Sequence, residues 1–110
     1  MNRIAMSAAA SGLIRSLIGR AAVPRHRILL TDIRSIDWQS LTLMGERHEF
    51  QLRVTGADSA IVVERMCAGL DDAEFSISGQ IVADIAIVGD PATNGDGSTS
   101  VSIEALTIAD

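Results

Sequence analysis

His26 and His48 are the only imidazoles of the chain, and Cys67 is its only thiol. An acid–base pair, a nucleophile or a metal centre would have to be built from these with Ser, Asp and Glu. The spacing builds none of them. No Ser stands in a Gly-x-Ser-x-Gly turn, and neither His is placed with two carboxylates as metal ligands are. His26 lies between Arg25 and Arg27 and reads as a surface residue. His48 borders the most regular strand pattern in the chain and reads as a structural hydrogen-bond partner. Cys67 falls on the apolar face of a helix, as a small core residue with only Arg65 as a near cation.

The acids offer no better device. Asp71-Asp72 and Glu74 cluster after a helix, where adjacent carboxylates point apart into water. Asp90, Asn94 and Asp96 set oxygens along a Gly-rich loop, as a calcium loop would. No Glu closes that loop at the twelfth position, and no helix pattern flanks it. The glycines form no phosphate cradle between a strand and a helix. One Trp, two Phe and no Tyr leave no stacking platform for single-stranded nucleic acid. The expectation is a protein that is not an enzyme and uses no metal or cofactor.

The chain has 110 residues, room for a single domain over 1–110 with one modest core. It is 47% apolar and 21% charged, too hydrophobic for a disordered segment. One Cys excludes a disulfide framework. A net charge of −5 argues against non-specific nucleic-acid binding, and no segment has the ~20 apolar residues of a membrane span. Charge is unevenly spread. Residues 1–53 hold eight arginines and four acids, whereas 54–110 hold one arginine and ten acids. No acid precedes Asp32, and five arginines do. Such a start also suits a transit peptide, but its apolar spacing favours an ordered helix.

That helix is expected over 4–19, with Met6, Ala10, Leu13, Ile14 and Leu17 on one face and Gly19 as its stop. Strands are expected at Arg27–Ile36, Glu49–Thr55, Gln80–Val88 and Val101–Ile108. In the second, Phe50, Leu52 and Val54 alternate with Gln51, Arg53 and Thr55. Asp58 is placed to cap a second helix that buries Val62, Val63, Met66, Cys67 and Leu70, with Ile61 left outside. The third strand is apolar on both faces: Ile81, Ala83, Ile85 and Ile87 on one, Val82, Ala86 and Val88 on the other, broken only by Asp84. Two short helices cover one side of a small sheet, so the other side calls for a partner. Trp38–Glu46 reads as a long mobile connection and Gly89–Ser100 as a turn-rich hairpin loop. The order α-β-β-α-β-β gives an α+β fold, two helices on one face of a small, mainly antiparallel sheet.

In this frame a family resemblance emerges. Asp37-Trp38-Gln39-Ser40, then Gly45-Glu46-Arg47-His48 leading into Phe50-Gln51-Leu52-Arg53-Val54, resembles the tail-completion, or head–tail joining, proteins of long-tailed phages. A short amphipathic helix follows, then a hairpin with Asp90-Pro91 and the tip Asn94-Gly95-Asp96-Gly97, as in that family. The resemblance spans roughly 28–108. It departs in the short link Arg20–Arg27 and in Thr55-Gly56, where an aromatic often ends the strand.

The resemblance implies a tail terminator: a ring-forming subunit whose homo-hexamer sits on the head-proximal end of the tail tube. The ring would stop tube growth, meet the major tail tube protein and a head-side connector or stopper, and let DNA pass without specific contact. It would reside at the head–tail junction of a virion or gene transfer agent particle after assembly in the host cytoplasm, with no membrane partner. The unlike charge of the two halves suits a head-to-tail contact. Two polar, glycine-bearing segments, Trp38–His48 and Gly89–Ser100, are the expected contact regions. Their candidate interface residues are Trp38, Gly45, Glu46, Arg47, His48, Asp90, Asn94 and Asp96, with Ile61 on the helix. Trp38 reads equally as an interface anchor or as a core plug under the first helix. Asp71, Asp72, Glu74 and Asp84 are the acids expected to face the lumen, with Asp90 and Asp96 as further candidates, because a basic lumen would bind phosphates. The rival readings are a stopper or connector ring of the same particle, and an unrelated oligomeric α+β domain that binds a small ligand.

Overall fold

The computed structural model describes residues 6–110. The first residues expected in the opening helix lie outside the described range. Helix α1 runs Ala8–Ala21 and α2 Ser59–Cys67; the strands are β1 Ile28–Gln39, β2 Met44–Val54, β3 Gln80–Thr93 and β4 Thr99–Ala109. The expected order α-β-β-α-β-β is the one found. All strand pairs are antiparallel, in the spatial order β1-β2-β4-β3. The chain leaves β2 at the centre, crosses through α2 to the far edge, and returns by the β3–β4 hairpin between them. Both helices pack on the same face, where Leu13, Leu17, Val62 and Met66 meet Phe50, Leu52, Val101, Ile103 and Ile85.

Helix α1 begins later and ends later than its sequence suggests. Ser7 is the N-cap, its side-chain oxygen accepting from the Ala10 amide at 3.1 Å, so Met6 lies outside the helix and is exposed. Gly19 does not stop the helix. The stop is Ala22, which takes the left-handed conformation at φ 55° normally left to glycine. Two arginines explain this. Arg65 of α2 donates twice to the Ala21 carbonyl, at 2.9 and 2.5 Å, while Arg20 of α1 donates to the carbonyls of Met66 (2.9 Å) and Ala68. Each helix end is thus closed by a guanidinium from the other, where the free carbonyls and the dipole both favour a cation. Arg20→Ala and Arg65→Ala are each expected to lower stability by about 1–2 kcal/mol. In urea unfolding the pair should be non-additive, because both arginines clamp the same two helix ends.

Helix α2 starts after Asp58 as expected, but the Asp58 side chain makes no capping bond. It pairs instead with Arg27, which also donates to the Thr55 carbonyl at 2.9 and 2.7 Å. This guanidinium lies over Gly56, whose φ is 109°; a Cβ there would come 2.3 Å from it. The helix ends at Cys67, and Leu70 reaches the core from the 3-10 turn Leu70–Asp72, after Gly69 has reversed the chain at φ 60°.

The two segments expected as loops are largely strand. Trp38 pairs with Gly45 and Gln39 with Met44, which leaves only residues 40–43 as the β1–β2 turn. Ser40 closes it, its amide donating to the Leu43 carbonyl at 2.9 Å and its hydroxyl accepting from the Leu43 amide at 3.1 Å. Strand β3 likewise continues past an irregularity between Val88 and Ala92 to Thr93, leaving a short turn at 94–98.

A second irregularity, between Val82 and Asp84, changes the expected faces of β3. One extra residue at a bulge reverses the alternation. Val82, Ile85 and Ile87 therefore pack on the helix side, while Ile81, Asp84, Ala86 and Val88 stand on the other. The apolar residues on both faces are real, but Ile81 and Ala83 do not continue the row of Ile85 and Ile87.

Candidate assembly surfaces

Among the described residues no metal-ligating cluster is brought together, and the features of note are surfaces. Among the described residues, nothing covers the sheet face away from the helices. Its residues follow from the register. Across β1, β2, β4 and β3 the rows read Trp38–Gly45–Ile108–Ile81, Ile36–Arg47–Leu106–Asp84, Arg34–Glu49–Glu104–Ala86 and Asp32–Gln51–Ser102–Val88. The first two rows, at the end nearest the β1–β2 turn, are mainly apolar, and Ile81 is 52% exposed. The next two rows set Arg34 among three acids, Asp32, Glu49 and Glu104, around a shallow depression.

The β1–β2 turn extends this apolar end into a protrusion. Leu41 is fully exposed, and Leu43 and Met44 are exposed beside it. The segment expected to be polar therefore carries the largest bare apolar group of the described residues. Its signal was present as Leu41-Thr42-Leu43-Met44, an apolar run inside a reputed loop. Trp38 is half-buried and is absent from the core cluster, so it does not plug the space under α1.

The other expected interface residues separate into different roles. Gly45 is held by close approach: a Cβ there would stand 2.0 Å from the Thr107 carbonyl oxygen. Glu46 is half-buried opposite Asp37, and Arg47 is exposed on the open face. His48 is wholly buried and offers no surface to a partner. Its Nδ1 lies 2.7 Å from Ser35 Oγ and its Nε2 2.8 Å from Thr107 Oγ1, which ties β1, β2 and β4 together. This is the structural hydrogen bonding its sequence position suggests. Burial pulls its pKa down, against a smaller upward pull from Glu46. Ile61 is 64% exposed on the outer side of α2, as expected.

The β3–β4 turn is tightly bonded. Asn94 donates from its side chain to Ser98 Oγ and Ser100 Oγ, both at 3.0 Å. Ser59, buried at the start of α2, bonds the Gly97 carbonyl and Thr99 Oγ1 at 2.7 Å each. Asp96 accepts from the Ser98 amide and hydroxyl at 2.9 and 2.6 Å, and pairs with Arg53. These bonds, Ser98 first and then Arg53, hold the Asp96 carboxyl down to about 2. Because the folded value lies below the usual 3.8, this group supports folding above pH ~4 and its support is lost as pH falls through about 2. Asp96→Asn is expected to flatten that acid limb in a pH series of thermal unfolding.

Asp71, Asp72, Glu74, Asp84 and Asp90 are all exposed, and none joins a salt bridge among the described residues. Asp90 lies in the irregular part of β3, away from the contacts that fix Asp96. Among the described residues no group of three or more His, Cys, Asp or Glu could hold a metal ion. Cys67 is half-buried; burial raises its thiol pKa, and the opposing cation is Arg20 rather than Arg65. No described helix is long and apolar enough to cross a membrane.

No family model matches the chain, and no curated protein matches its sequence. Among solved structures it resembles a chain of the virion of a native gene transfer agent particle. The two share 16% identity and a TM-score of 0.51, over 92% of this chain and 88% of that one. At that identity the likeness is one of fold.

Proposed function

We propose that this chain is a structural protein of a tailed, virion-like particle, and within it the tail terminator. The observation that carries the reading is the fold it shares, over nearly its whole length, with a chain of a gene transfer agent virion. The surface supports it from a different direction. An uncovered sheet face with a bare apolar end, and a protruding apolar turn, suit a subunit completed by neighbours rather than a free monomer. In this reading six copies form a ring on the head-proximal end of the tail tube. One rim meets the tube protein, the other meets the connector or stopper, and DNA passes through the lumen. The exposed, unpaired acids Asp71, Asp72, Glu74 and Asp84 are placed towards that lumen, where their charge would let phosphates slide past. Trp38, Arg47, Ile61 and Asp90 are placed at contacts between proteins.

Electron microscopy of particles from a strain lacking this chain tests the role. Filled tailless heads beside detached tubes of overlong or uneven length are expected. Normal tailed particles would refute it, and joined tails of normal length that leak DNA would favour a stopper. Trp38→Ala gives a finer test. It is expected to shift the melting temperature of the isolated subunit by less than ~3 °C, because Trp38 lies outside the core, and to reduce the yield of joined particles.

A further inference from the structure

The protruding β1–β2 turn has a counterpart on the same molecule. Between α2 and β3 lies an open groove of about 540 Å³, lined by Ala60, Val63, Cys67, Ile87, Pro91 and Thr99 among others, with Glu64 as its one charged residue. Residues 40–45 carry no charge and present Leu41, Leu43 and Met44. We infer that the turn of one copy seats in the α2–β3 groove of the next, as a head-to-tail contact. This rests on the proposal that the chain assembles with copies of itself, and it assigns the surfaces involved.

Topology makes the contact intermolecular. The turn projects from edge strand β1, at the end of the sheet where Gly45 pairs with Ile108. The groove borders β3, the opposite edge, at the end where Val54 pairs with Thr99. Nine residue steps separate those two ends, or roughly 30 Å along the strands. Knob and groove therefore occupy diagonally opposed corners, and one molecule cannot bring them together without breaking its ladder. A contact between unlike patches on two copies is heterologous. Repeated from copy to copy, it closes into a ring or runs on as a filament; only a reciprocal exchange, each turn in the other's groove, would stop at a two-fold pair.

Charge points the same way. Arg47 is exposed on the open face just behind the turn, and Glu64 is exposed on the groove; neither joins a salt bridge among the described residues. Asp37 and Glu46, the acids nearest the turn, stand in the opposite alternation, on the helix side of the sheet. The knob can therefore enter with its cationic flank towards Glu64.

Cys67, the only cysteine, makes the test direct because it lines the groove. Leu41→Cys in the full chain, treated with a short bismaleimide, is expected to give a ladder that continues beyond the dimer. The same ladder should form in purified oligomer and in particles, and Cys67→Ser in the Leu41→Cys background should abolish it. Ala60→Trp, which fills the groove from the exposed side of α2, should suppress it too. A product that stops at the dimer would overturn the inference: one that survives Cys67→Ser would mean that turns meet turns, and one that needs Cys67 would mean a reciprocal two-fold pair instead of a head-to-tail series. A ring seen by microscopy with no bond between positions 41 and 67 would overturn it while leaving the ring proposal standing. Absence of any oligomer, in solution or in particles, would overturn both.

Discussion

Gly45→Ala is expected to lower stability by about 3 kcal/mol, seen as a fall of ~10–20 °C in melting temperature. The reason is local and rigid. An added Cβ would meet the Thr107 carbonyl oxygen at 2.0 Å, its carbon at 3.0 Å and the Ile108 Cα at 3.1 Å. All three are backbone atoms of β4, so no side chain can rotate away. Relief requires β2 and β4 to separate at the Gly45–Ile108 pair, next to Thr107, whose hydroxyl bonds His48. The same separation would loosen the base of the exposed turn, so assembly should suffer at temperatures where the subunit still folds. Gly19→Ala supplies the contrast. Gly19 lies within α1, and a Cβ there meets nothing within 4 Å. That substitution should stabilise by ~0.5–1 kcal/mol, through the helix preference alone. Opposite signs in a thermal unfolding pair would establish that packing, and not residue type, governs these glycines. Equal stability of Gly45→Ala and the parent would mean that the strands relax there without strain.

The contrast also locates what the sequence can and cannot disclose. Alternation of Phe50, Leu52 and Val54 with polar neighbours is a local pattern, and β2 buries those three residues as the pattern requires. The buried face of α2 was legible for the same reason. What failed was set by tertiary structure. Gly19 and Gly45 are breakers by local preference, yet one is carried through a helix whose end Arg65 holds, and the other lies in a central strand that allows only glycine. The bulge near Ala83 leaves no composition signature, so alternation alone cannot give the faces of β3 across it.

The assembly surface shows the same division. Exposed Ile61 was visible as an apolar residue on the wrong side of a helix. The row Trp38–Gly45–Ile108–Ile81 joins four strands and is visible only once the order β1-β2-β4-β3 is known. Composition hides Leu41 for a different reason. A segment with one Gly and several polar residues has the composition of a loop, but pairing across the hairpin outweighs it.

His48 is the group whose titration should be visible in the stability of the whole domain. It is wholly buried between Ser35 and Thr107, and Thr107 Oγ1 lies 3.5 Å from the Glu46 carbonyl. A neutral ring fits this chain of contacts: Ser35 donates to Nδ1, Nε2 donates to Thr107, and Thr107 turns its own proton towards the carbonyl. A protonated ring needs two acceptors, so Ser35 would have to reverse, and a cation would be left away from water. Burial therefore holds the folded pKa below the ordinary 6.5, with Glu46 offsetting part of the effect. The unfolded chain then binds the proton more readily than the folded one. The support His48 gives is complete above pH 6.5, shrinks as pH falls, and is lost once pH passes the folded value. Stability therefore rises with pH across that window, by no more than ~1.4 kcal/mol per pH unit for this one group. His48→Gln keeps a donor and an acceptor but cannot titrate. It is expected to be less stable than the parent by about 1–2 kcal/mol at pH 8, and to show a flattened profile between pH 7 and 5. Urea unfolding across that range reads both quantities. A His48→Gln profile as steep as the parent's would assign the slope to other groups and remove the titration argument.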